Sequence, residues 1–278
     1  MIYILTALFC EAKPIIQMYH LEKKQSCTHF QLFCNNQIAL IISGQGKLNA
    51  AIAITELFHR IPPKETDLLL NLGIAGSTDS TIPIGSGFFC NRLLDWDTLH
   101  TYYPDFLYAH HKKEAQLKTV SKPYMNVSAN EHTLIDMEAT GVYTAAMYFM
   151  KQHQVYFYKI VSDHCNGMSL QTEDITSLIS PHISPIIDYF KEIENTLATN
   201  QRIALSSLEI SLINELSDAL HCSVTMAYQL RQLFLYEKLN QVDIIHLLHT
   251  NLEKLKISPC KTKREGKKYC EQLRNELI

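Results

Sequence analysis

Four places in the chain put glycines, carboxylates or a hydroxyl directly after a run of apolar residues. They are Leu5–Glu11, Ser43-Gly44-Gln45-Gly46-Lys47, Asn71-Leu72-Gly73-Ile74-Ala75-Gly76 and Ser162-Asp163. If the apolar runs are strands of one open α/β sheet, these segments share its carboxyl edge, where such sheets hold ligands. Glycines there, such as Gly44 and Gly76, let backbone N–H groups approach a ligand and let helices start close to it. Acidic side chains and a serine at that edge would meet the ligand as acids, bases or hydrogen-bond partners. Taken singly, each motif has a plainer use. A glycine after a strand makes a turn, Ser-Asp caps a helix, and Glu11 suits the amino-terminal dipole of a helix.

The elements that must position these residues are legible as periodicities. Tyr3–Leu8, Ile38–Ser43, Asp67–Leu72 and Val155–Ser162 are short apolar or β-rich runs that read as strands, and the centre of Asp67–Leu72 reads as buried on both faces. Asp67–Leu72 is expected to end at Gly73, and Gly85–Asp95 to start at a glycine turn and continue as a strand. Leu48, Ala51, Ile52, Ile54, Thr55 and Phe58 recur at helical spacing, closed by Pro62-Pro63. Gly141–His153 reads as a helix, and a long helical pattern reaches about Leu197, with Pro181 and Pro185 expected to kink it or start its segments. Strand, glycine, helix, repeated, is α/β architecture. The composition changes near Thr199. Beyond it the pattern is all helical: a capping box at Ser206 opens a helix to about His221, Ser223 caps another to Lys238, and Gln241–His249 and Lys263–Leu277 follow. The expected division is 1–198 and 199–278.

The ordered motifs resemble the nucleoside phosphorylase and nucleosidase superfamily, and within it the methylthioadenosine/S-adenosylhomocysteine nucleosidases. Thr6–Glu11, Ser43–Lys47, Asn71–Gly76, Pro83-Ile84-Gly85, Asp136-Met137-Glu138-Ala139-Thr140 and Lys159–Asp163 carry the resemblance, which covers roughly residues 1–198. It implies a mixed central sheet flanked by helices, with the small helical module outside it. It also implies hydrolysis of the N-glycosidic bond of a 5′-substituted adenine nucleoside, with no cofactor and no metal. Asp163 matches the acid that protonates purine N7, and Glu11 the residue that deprotonates the attacking water. Glu138 matches the clasp on the ribose hydroxyls, with Met137 beside the sugar. Gly44, Ala75, Gly76 and Ser162 fall in the substrate-binding segments. Lys159 stands where the nucleosidases often carry arginine near the water. The family is usually dimeric, so a homodimer is expected.

The chain departs from the family between Asp95 and Met137, where it is shorter. Lys118–Ser121 is read as a remnant strand, and Tyr124 either stacks on the purine or covers the core as a loop aromatic. Asp95, Trp96 and Asp97 either reshape the pocket or form a surface loop. Two further readings stand beside the hydrolase: a phosphorylase, and a nucleoside sensor with little turnover whose helical module binds nucleic acid or protein. Phosphate is best held by arginine forks, and residues 1–198 contain only Arg60 and Arg92, neither placed for it. The hairpin of the module has helix-turn-helix proportions, with Thr225, Tyr228, Gln229, Arg231 and Gln232 on its second helix. Residues 251–278 carry a net +4 that lies outside the hairpin, so a cap or lid built on Leu208, Leu212, Leu216, Leu220, Leu230, Leu233 and Leu239 is preferred to nucleic-acid binding.

Among 278 residues, 46% are hydrophobic and 19% charged, with a formal charge of −3. That composition excludes wholesale disorder and gives no global pull toward nucleic acid or membrane. No apolar run nears the roughly 20 residues of a membrane helix. Met1–Pro14 lacks a basic leader and reads as a buried strand, not a signal peptide. Eight cysteines without CxxC spacing fit reduced thiols in the cytoplasm and make a zinc site a poor expectation.

Overall fold

The computed structural model describes all residues except 25–28, 123–132, 166–170, 202–204, 241 and 278. Tyr124 therefore lies outside the described residues. The chain divides into two compact units, Met1–Asn195 and Thr196–Ile278.

Among the described residues, ten strands belong to the first unit: β1 (Ile2–Thr6), β2 (Glu22–Lys23), β3 (Gln31–Cys34), β4 (Ile38–Ile42), β5 (Leu68–Ser77), β6 (Gly87–Asp95), β7 (Thr101–Tyr102), β8 (Lys113–Thr119), β9 (Thr133–Asp136) and β10 (Val155–Asp163). Its helices are α1 (Phe9–Met18), α2 (Lys47–Arg60), α3 (Ala139–Ala146) and most of α4 (Thr172–Gln201). β4, β1, β5 and β10 lie side by side and parallel. Their continuous Ile, Leu, Val and aromatic content follows from burial on both faces. β5 goes on past β1 to pair with β9 at Gly76 and Ser77. Since β9 pairs β8, β8 pairs β6 and β6 pairs β10, the strands β5-β9-β8-β6-β10 close into a ring. The helices pack by their apolar stripes. On α2 the buried set is Ala50, Ala53, Ile54, Leu57 and Phe58, a single helical face. On α4 it includes Ile175, Ile179, Ile183, Ile186 and Phe190.

Several expectations are corrected here. β5 does not stop at Gly73 but runs to Ser77. The remnant strand at 118–121 is a seven-residue strand that begins at Lys113. α4 is one helix with both prolines inside it. Ser177 and Ser180 hydroxyls bond the carbonyls of Glu173 and Thr176 in the turns around them, one way a helix absorbs such residues. Asp95 ends β6 and is buried, so of the three residues weighed as a surface loop only Trp96 and Asp97 are exposed. The His110 ring lies 4.7 Å from that of Phe89.

The second unit holds α5 (Ser207–Ala219), α6 (Val224–Leu239), α7 (Ile244–Ile257) and α8 (Lys263–Leu277). The Ser206 and Glu209 side chains form the expected reciprocal cap, and Ser223 accepts from the Met226 N–H. Asp243 caps α7, which is longer than its sequence pattern suggested. Leu212, Leu216, Leu220, Leu230 and Phe234 make the core with Leu248, Leu252, Leu255 and Leu273. Leu208 and Leu239 are instead 56% and 54% exposed.

Candidate active site

The carboxyl ends of β1, β4, β5 and β10 bring the four sequence segments to one edge. Glu11 is the third residue of α1 and is 2% exposed. Its Oε2 accepts the N–H groups of Ala7 and Leu8, each at 2.8 Å, and its Oε1 accepts that of Ile74 at 3.0 Å. The helix-start reading of Glu11 is thus correct in part, but one oxygen reaches across to β5. A Cβ on Gly73 would stand 2.9 Å from that oxygen, so the glycine inside β5 clears space for a carboxylate. Burial pushes the Glu11 carboxyl above its ordinary range, against the three N–H donors and Lys159.

Glu138 precedes α3. Its Oε1 accepts from the Gly46 N–H at 2.9 Å and its Oε2 from the Met137 N–H at 3.3 Å. Gly44 and Gly46 carry φ of +74° and +100°, values that favour glycine and turn the amide of Gly46 toward Glu138. The amide of Gly46, which caps the amino terminus of α2, is therefore taken by the chain's own carboxylate. Burial and the neighbouring Asp136 raise the Glu138 pKa to about 7, with Lys159 and the Gly46 N–H acting the other way.

Lys159, in β10, is 1% exposed and its Nζ lies 2.9 Å from Asp136 Oδ2. Burial disfavours its charge, but Asp136, Glu138 and Glu11 together hold the ammonium above its ordinary value. Asp136 also accepts from Thr119 Oγ1 at 2.7 Å and from the Ala139 N–H at 2.9 Å. Three carboxylates thus share one ammonium. The imbalance favours a proton on one of them, and Glu138 has the pKa to take it near neutrality.

Asp163 ends β10. Its Oδ2 accepts from Ser162 Oγ at 2.7 Å and its Oδ1 from the Cys165 N–H at 2.7 Å. Between Val161 and Asp163 the pairing with β5 slips, so that Asp163 falls opposite Gly76 while Val161 opposes Ala75. Such a bulge re-aims a side chain. A Cβ on Gly76 would lie 2.6 Å from Cys165 Sγ and 3.3 Å from Asp163 Oδ1. Met137 is partly buried and packs on Val120, Ile135 and Cys165. β5 is the common rail of the site: Glu11 leans on Gly73 and Ile74, Asp163 on Gly76.

Glu11, Glu138 and Lys159 are brought into one electrostatic group, and Asp163 and Ser162 stand at the same sheet edge. Sequence reasoning missed the role of Asp136, whose signal was the unanswered charge of a lysine in an apolar strand. Arg60 pairs with Glu56 on its own helix and Arg92 donates to Gln116 on the neighbouring strand. Among the described residues no cluster of His, Cys, Asp and Glu is arranged to hold a metal ion.

The chain superposes on the apo 5′-methylthioadenosine nucleosidase of Arabidopsis thaliana with a TM-score of 0.57 at 17% identity, over 68% of this chain and 95% of that one. The same 68% matches 97% of the Neisseria meningitidis 5′-methylthioadenosine/S-adenosylhomocysteine nucleosidase, solved with methylthio-immucillin-A, at TM-score 0.56 and 13% identity. The fold is that of the methylthioadenosine/S-adenosylhomocysteine nucleosidases. The nucleosidase fold is also seen in the Chlamydia trachomatis protein bound to methylthioadenosine, at TM-score 0.53 and 19% identity, over 68% of this chain and 98% of that one. A 51-residue stretch is 43% identical to the nucleosidase of Staphylococcus carnosus, and this match spans 18% of the chain and only 21% of that relative's length. No family model matches the sequence. Among the described residues, no helix is long and apolar enough to cross a membrane.

Proposed function

We propose that the chain is a purine nucleosidase that hydrolyses the N-glycosidic bond of a 5′-substituted adenine nucleoside. The observation that carries this reading is the group of Glu11, Glu138 and Lys159 at the sheet edge, with Asp163 at the end of β10, the strand that carries Lys159. As the C1′–N9 bond breaks, its electron pair passes to the purine and Asp163 delivers a proton to N7. Ser162 and the Cys165 N–H hold that carboxyl in place. Glu138 accepts the ribose hydroxyls, and its negative charge favours the cationic sugar. Water attacks C1′ and gives its proton to Glu11, whose raised pKa makes it a stronger base than a free carboxylate.

Water is favoured over phosphate on electrostatic grounds. The ammonium of Lys159 is bonded to Asp136, the Gly46 N–H to Glu138, and the two arginines of this unit bond elsewhere. A phosphate dianion at Glu11 would face carboxylates without a free fork to bind it. The same reading takes the enzyme as a cytoplasmic homodimer with a separate helical module at 199–278. Light scattering on the purified chain checks the dimer.

The test is base release from adenosine, methylthioadenosine and S-adenosylhomocysteine, with and without phosphate. Release of adenine and free ribose without phosphate is expected. Ribose 1-phosphate, with a rate that rises with phosphate, would assign a phosphorylase instead. Binding without release would assign a nucleoside sensor. An Asp-to-Asn variant of the Helicobacter pylori nucleosidase holds methylthioadenosine in its active site, and Asp163→Asn is expected to trap the nucleoside here in the same way.

A further inference from the structure

The turn before α2 has the make-up of a phosphate loop, Gly-x-Gly-Lys after a strand, yet its donors are committed within the chain. Lys47 Nζ lies 3.0 and 2.8 Å from the two oxygens of Asp95 and 2.6 Å from Asp97 Oδ2. Asp95 in turn accepts the Thr140 hydroxyl at 2.9 Å and the N–H groups of Asp97 and Thr98. Burial opposes its charge, but Lys47, the Thr98 N–H and Thr140 hold its carboxyl down at about 2. Thr140 stands two residues after Glu138, in the first turn of α3. Its N–H donates to Thr119 Oγ1 at 3.3 Å, and that hydroxyl donates to Asp136 at 2.7 Å. Gly141 lies bare against the Lys47 carbonyl, where any Cβ would collide. Glu138 is therefore tied at two points: its carboxylate to the amide beside Lys47, and its helix, through Thr140, to the partner of the Lys47 ammonium.

We propose that Lys47 and Asp95 are a positioning pair for the sugar-binding carboxylate. Their ion pair locks α3 to the Gly44–Gly46 turn and so fixes where Glu138 meets the ribose hydroxyls. The proposal rests on the nucleosidase reading of Glu138. It also assigns the lysine of this loop to the architecture of the sugar site and away from anion binding. A shift of about 1 Å at a positioning contact costs on the order of 10²-fold in rate.

The experiment uses the full chain and two substrates, methylthioadenosine and its 2′,3′-dideoxy analogue. Lys47→Met is expected to lower kcat/KM for the ribose substrate by about 10²-fold, and for the dideoxy analogue by much less, because the misplaced carboxylate has no hydroxyl to hold there. Within a Glu138→Gln background, Lys47→Met should add almost nothing, since neighbours acting through one contact are non-additive. Lys47→Arg, which keeps the charge and its reach, should restore most of the rate. Asp95→Asn gives the same pattern from the other partner, should Lys47→Met fail to fold by circular dichroism. Equal losses on both substrates, or effects that multiply with Glu138→Gln, would make the pair a structural staple and overturn the proposal alone. A wild-type chain that neither binds nor cleaves either nucleoside would overturn the nucleosidase reading and the pair's role with it.

Discussion

Both units bury charge, and they do so for different ends. In the helical unit, Glu209 closes a capping box and reaches Lys238 at 2.5 Å, a pair that keeps partial contact with solvent. Asn251 bonds Tyr269 and the Leu247 carbonyl. Each has a local structural task. In the α/β unit, Lys159 is sealed against Asp136, both side chains almost wholly buried, with Glu11 and Glu138 close enough to raise its affinity for a proton. Such a group is costly to desolvate, and a well-packed apolar set would serve stability as well or better. A concentration of buried charge beyond what caps and turns require is the signature of a site.

The largest effects expected are on turnover. Asp163→Asn and Glu11→Gln should each lower base release by roughly 10² to 10⁴, while nucleoside affinity measured by calorimetry should be largely kept. Near-normal turnover in either variant would remove that residue from the chemistry and weaken the contrast between the units.

Next comes stability. Lys159→Met strands Asp136 in the interior and should cost about 3–5 kcal/mol. Lys238→Met, in the helical unit, breaks a partly solvated pair and should cost under about 1 kcal/mol. Chemical denaturation of both variants sharpens the comparison, and equal losses would erase it.

The pH dependence follows from Glu138. Its pKa rises on folding from 4.5 to about 7, so the folded chain holds a proton that the unfolded chain has released. Its contribution to stability is therefore full below about pH 4.5, shrinks as pH rises, and is lost above about pH 7. Glu138→Gln removes that slope, so the variant should gain on wild type as pH increases across this window. Base release should move the other way, falling in wild type below about pH 7 as the clasping carboxylate takes up its proton. Thermal melts and rate profiles from pH 5 to 9 measure both.

The smallest effect on turnover is expected of a control. Ser206→Ala removes the cap of α5 and should cost about 1 kcal/mol without altering base release.

Much of this contrast was legible in the sequence, and the exceptions have physical causes. β1, β4 and β10 announce themselves because strands buried on both faces must be apolar throughout. The capping box at Ser206 is a local code and was read correctly. β3 and β9 were missed because four residues carry no usable period. β5 was cut short at Gly73 because a glycine after a strand normally signals a turn. Here the missing side chain makes room for the Glu11 carboxylate, a contact 62 positions away in sequence that no local pattern reveals. Glu11, Glu138 and Asp163 were picked out as candidates through ordered motifs. Asp136 and Asp95 were not, since their roles exist only with Lys159 and Lys47 beside them.

The closure of β5-β9-β8-β6-β10 also bears on how copies of this chain can meet. A ring offers no unpaired strand to a newcomer, and on its far side the sheet ends in β2, two exposed residues of opposite charge, Glu22 and Lys23. Short, charged termini of this kind discourage strand addition and edge-to-edge polymerisation. Among the described residues, association by continuing the sheet is therefore discouraged at this edge, which turns contact between copies toward helices and side chains.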